Sequence, residues 1–97
     1  MQLNREKILQ KAIDTYGSEA QIRMMMEEMA ELQKELCKLY RAKDSTHTIA
    51  IHDRILDEMA DVQIMLDQMR LLFGDTDSRE LEKLRRLAER LGMEDVE

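Results

Sequence analysis

The chain has 97 residues, 43% of them hydrophobic and 37% charged, with no proline, three glycines and a net charge of −6. This is the composition of one small globular domain rather than a disordered chain, and the lack of proline and scarcity of glycine point to an all-helical fold. The acidic balance disfavours nucleic acid as a principal partner, since phosphate contacts need a basic surface; with no apolar run long enough to span a membrane and no signal core after Met1, a cytoplasmic location is expected.

Four helices are predicted in chain order. Asn4 is a suitable N-cap for a first helix over about 4–16, with Ile8, Leu9, Ala12, Ile13 and Tyr16 as its apolar face and Gly17 as its end. A second helix follows over about 18–41. The polar stretch 42–47 reads as a loop. A third helix starts between Thr48 and Asp53, about residue 50, and runs to Phe73, with Gly74 as the residue that stops it. Residues 75–78 read as a second loop. Asp77 with Glu80 has the spacing of a capping box for a fourth helix over about 78–91, carrying Leu81, Leu84, Ala88 and Leu91. Two long helices joined by a short connection imply an antiparallel hairpin. The expected architecture is therefore a single all-α domain over 1–97, bundle-like and built on that hairpin.

The chemistry lies in two acidic runs within the long helices. Glu27, Glu28 and Glu31 form one, and Glu58 and Asp61 the other. Residues three apart share a helix face, so each run presents carboxylates side by side. On a helical wheel, Ile51, Ile55, Val62, Met65, Leu66, Met69, Leu72 and Phe73 fall within roughly 80° of Glu58, which places that carboxylate inside an apolar stripe. On the earlier helix the stripe is Met25, Met29, Leu32, Leu36 and Leu39, with Glu28 at its border. A carboxylate facing a core costs several kcal/mol unless compensated. An oxygen-ligated divalent cation compensates it, and hard cations require this kind of ligand cluster. The five carboxylates account for five of the six units of net negative charge.

The order Glu27-Glu28-Met29-Ala30-Glu31 followed by Glu58-Met59-Ala60-Asp61 resembles the signature of the MazG-like all-α nucleoside triphosphate pyrophosphohydrolases. The similarity extends from about residue 21 to 74, and the approach Tyr16-Gly17-Ser18-Glu19-Ala20-Gln21 resembles the small single-domain members. The resemblance implies hydrolysis of a nucleoside triphosphate between the α and β phosphates, giving a monophosphate and pyrophosphate. It implies Mg²⁺, with Mn²⁺ as substitute, held by Glu28, Glu31, Glu58 and Asp61. Glu27 would be a further ligand or would hold the attacking water. A helical bundle that dimerises, sometimes further, is also implied.

Plainer readings apply to the remaining residues. Lys34 and Lys38, one turn beyond Glu31, are candidates for substrate phosphate, though salt bridges explain them more simply. The methionines read as core and subunit interface. Cys37 reads as a small buried apolar residue, and His47 and His52 as surface residues. Arg85, Arg86 and Arg90 fit surface pairing near a helix C-terminus. Met26, Ala30 and Cys37 widen the apolar arc of the second helix beyond one stripe, as a homodimer or dimer of dimers requires. Two other functions fit the pattern less fully: a non-catalytic helical interaction module, and a pyrophosphohydrolase acting on a phosphoribosyl-nucleotide. A coiled-coil-like module keeps its charges outside the apolar stripe, which Glu58 does not obey.

Overall fold

The computed structural model describes residues 3–94. They form four helices: α1 (Arg5–Tyr16), α2 (Ser18–Arg41), α3 (Ser45–Phe73) and α4 (Asp77–Arg90). Asn4 caps α1, its side chain accepting the Lys7 amide at 3.0 Å. Gly17 closes α1 at φ 92°, donating its amide to the Ile13 carbonyl at 2.8 Å. Gly74 closes α3 at φ 118° in the same way, on the Arg70 carbonyl at 2.9 Å. Both backbones lie where a Cβ is disfavoured, which is why glycine stands at these two ends.

Two helix starts differ from expectation. The loop predicted over 42–47 is only residues 42–44, and α3 begins at Ser45 rather than near residue 50. Asp44 is the reason: its side chain accepts the His47 amide at 2.8 Å, and the Thr48 hydroxyl donates to the Asp44 carbonyl at 2.9 Å. A strong cap thus starts the helix on the weak helix formers Ser45, Thr46 and Thr48. At α4 the N-cap is Thr76, not Asp77, and the expected capping box does not form. Glu80 lies one residue too far along for the box. It accepts from Arg70 Nη2 at 2.6 Å and from the Thr76 hydroxyl instead.

The long helices α2 and α3 run antiparallel, and α1 packs against both. Leu9, Ile13, Met25, Ile51, Ile55 and Met65 make the buried apolar core. Arg5 ties α1 to α3 through Asp67 at 2.7 Å, and that guanidinium holds the Asp67 carboxyl below its usual range.

The α2 face that meets α3 takes in only Met25 and Leu32 of the apolar stripe expected from the wheel. Gln21 and Glu35 are buried on it, and Glu28 and Leu32 are half-buried. Gln21, Glu28 and Glu35 are spaced by seven, so they return to one face of the helix. Met29, Leu36 and Leu39 are exposed, as are Leu66 and Phe73 of α3. Cys37, expected to be buried, is exposed in the same outer arc.

α4 packs on no other helix among the described residues. Its tether is Arg70, which donates to Thr76 at 2.7 Å and to Glu80. Leu81, Leu84, Leu87 and Leu91 share one face of α4, and all are exposed. The chain exposes 8314 Å², against about 5,800 Å² for a compact monomer of its mass. Its radius of gyration is 17.3 Å, where a compact chain of this length has about 12.5 Å.

Candidate metal centre

Each helix supplies its carboxylates where the seam turns polar. Glu28 lies between Met25 and Leu32 on the inner face of α2. Glu58 lies between Ile55 and Val62 on the inner face of α3. The antiparallel pairing brings the two together at mid-hairpin. Asp61, three residues past Glu58, reaches the same point from the exposed edge. One oxygen from each of Glu28, Glu58 and Asp61 lies within 4.8 Å of the other two.

The electrostatics are those of crowded like charges. Desolvation is the main cause that raises the Glu58 carboxyl above its ordinary 4.5, followed by the charges of Asp61, Glu31, Glu35 and Asp57. Desolvation also leads for Glu28, followed by the charge of Asp61 and a side-chain hydrogen bond to it. Glu58 Oε2 is buried with no hydrogen-bond partner. None of the three carboxylates forms an ion pair among the described residues. The nearby cations Arg54 and Lys38 are engaged by Glu35 instead, at 2.6 Å and 3.2 Å.

Of the residues expected to act, Glu28, Glu58 and Asp61 meet. Glu31 is exposed and outside the three-oxygen group, though its charge acts on both Glu28 and Glu58. Glu27 is exposed and outside the group as well. Lys34 is exposed and unpaired among the described residues, and Lys38 is taken up by the Glu35 bridge. His47 and His52 are exposed, as expected.

Sequence reasoning missed Glu35 and Arg54. Glu35 is 4% exposed and lies about one turn beyond Glu31, on the inner face. The guanidinium of Arg54 holds its carboxyl below the usual range, and Lys38 assists. The seven-residue spacing from Glu28 was the signal that could have found it.

The three-carboxylate group fits a hard divalent cation in its all-oxygen donor set and in the orphaned Glu58 oxygen, which lacks any other partner. No protein-family model, curated protein or solved structure matches the chain.

Proposed function

We propose that the protein is a Mg²⁺-dependent nucleotide pyrophosphohydrolase, cleaving a nucleoside triphosphate between the α and β phosphates. The observation that carries this reading is the convergence of Glu28, Glu58 and Asp61 on one point, with Glu58 Oε2 buried and unpartnered. Carboxylates so arranged repel one another, and among the described residues no cation pairs with them. Glu28, Glu58 and Asp61 would hold the cation, and Glu31 would complete the set through a side-chain rotation from the next turn of α2. Bound there, a divalent cation supplies charge neutralisation for the phosphates and lowers the pKa of a coordinated water. The half-buried Glu58 anchors the set. Glu27, at the exposed rim, has the part of holding an attacking water. No serine, cysteine or histidine nucleophile is required.

The same reading includes assembly. A second copy of the chain covers the α4 leucines and the outer apolar arc of α2 and α3, and two chains together complete the helical bundle. The exposed surface in excess of a compact monomer is about 2,500 Å² per chain, the scale buried by obligate dimers. A purely structural interaction module would share this assembly, but it gives no reason to bury a Glu58 oxygen without a partner. A phosphoribosyl-nucleotide substrate would use the same carboxylates.

The test is product identity over a panel of NTPs, dNTPs and phosphoribosyl-nucleotides, with Mg²⁺ and with EDTA. Pyrophosphate and a monophosphate in equal amounts, only with the metal, is the expected result. Orthophosphate as the direct product would overturn the cleavage position. No turnover of any member would overturn the enzymatic reading.

A further inference from the structure

The closed end of the hairpin holds a second, oppositely charged feature. A cavity of about 540 Å³ lies there, lined by Lys38, Arg41, Lys43, Arg54, Asp44 and His47, with Ala42 and Ile51 as its apolar walls. Four of these residues are lysine or arginine in a chain whose net charge is −6. It is a shallow groove, open to solvent along much of its length.

The acidic groups nearby are already engaged. Asp44 accepts the His47 amide, and its other carboxylate oxygen lies 2.7 Å from the His47 ring Nδ1. Glu35, buried beneath, bridges Arg54 and Lys38 and so fixes both cations at the wall. Arg41 and Lys43 have no ion pair among the described residues, although a free pair of cations beside a cavity is the arrangement a polyanion neutralises. Arg54 lies four residues before Glu58, which is about 6 Å along the α3 axis. Arg41, on the facing wall, lies 13 residues past Glu28, which is about 20 Å along the α2 axis, so the groove and the carboxylate group are separate sites.

We propose that this groove is a polyphosphate-binding site apart from the carboxylate group, binding a phosphoanhydride such as pyrophosphate through Arg41 and Lys43, with Arg54 and Lys38 held behind them by Glu35. The anion preference stands on the cavity and its cations.

The experiment is calorimetric titration of the full chain with inorganic pyrophosphate in EDTA, alongside Mn²⁺ titration in separate samples. The wild type binds pyrophosphate without metal. The Arg41→Ala/Lys43→Ala variant binds it at least tenfold more weakly, with its Mn²⁺ affinity and helical circular dichroism unchanged. Lys83→Ala/Arg85→Ala removes the same charge from α4 and leaves pyrophosphate affinity intact. Absence of metal-free binding, equal affinity in the Arg41/Lys43 variant, or equal weakening in the α4 control would overturn the polyphosphate site. Loss of Mn²⁺ binding in the wild type, with pyrophosphate still bound, would instead overturn the metal centre and leave the polyphosphate site standing.

Discussion

Leu84→Asp places a charge in the middle of the unpartnered face of α4. Leu84 is 60% exposed in the single chain, so most of its side chain is available for the proposed second copy to bury. Full burial of a leucine is worth about 1.5–3 kcal/mol, so the remaining gain is about 1–2 kcal/mol per copy. A two-fold interface counts each substitution twice, which gives about 2–4 kcal/mol. At about 1.4 kcal/mol per decade, the dimer dissociation constant rises by roughly 1.5 to 3 decades. The aspartate charge adds a desolvation cost, so these values are a lower bound. Sedimentation velocity at micromolar concentration reads the change directly. The wild type sediments as a dimer or higher multiple of 11.5 kDa, and the variant moves toward the monomer at the same concentration. A wild-type monomer that is fully active, or a variant with unchanged association, would refute the assembly argument.

Glu58→Gln abolishes activity and leaves the metal-free fold as stable as the wild type or more so, because it removes one member of a repelling carboxylate group; a large fall in the metal-free melting temperature would mean a structural role instead. Arg54→Met strands the buried Glu35 carboxylate and destabilises the protein at neutral pH. In the wild type the Glu35 pKa is depressed in the folded state, so its stabilising contribution is present above the usual 4.5 and is lost as the pH falls through the lowered folded value. The difference in urea midpoint between Arg54→Met and wild type therefore shrinks on acidification, and a difference independent of pH would contradict the pairing. Met65→Ala, at a core position 5% exposed, costs about 2–5 kcal/mol by urea denaturation, and a loss under 1 kcal/mol would mean the seam is not packed around it.

The helical skeleton was legible because its ends are written in residues with strong local preferences. Asn4, Gly17 and Gly74 each stand where the sequence pattern put them. The start of α3 was misread because Ser45, Thr46 and Thr48 have weak helix propensity, and the cap at Asp44 outweighs it. The setting of Glu58 was legible, since its apolar neighbours leave one wheel arrangement. The setting of Glu28 was legible only in part. Met25 and Leu32 of the expected stripe face inward, but Met29, Leu36 and Leu39 do not: the inner face also bears Gln21, Glu28 and Glu35, and hydrophobicity alone centred the stripe too far round the helix. A wheel cannot say whether an apolar face meets the same chain or another. The Glu35–Arg54 bridge spans 19 residues, and its register depends on a connection three residues shorter than the sequence suggested.

The account stands or falls on whether Glu28, Glu58 and Asp61 meet at a divalent cation. Electron paramagnetic resonance titration with Mn²⁺ measures bound against free ion, on the wild type and on Glu58→Gln and Asp61→Asn. The prediction is a saturable site in the wild type that Mg²⁺ displaces and that either substitution weakens at least tenfold. A wild type with no saturable Mn²⁺ binding, or variants that bind it as tightly, would contradict the metal centre.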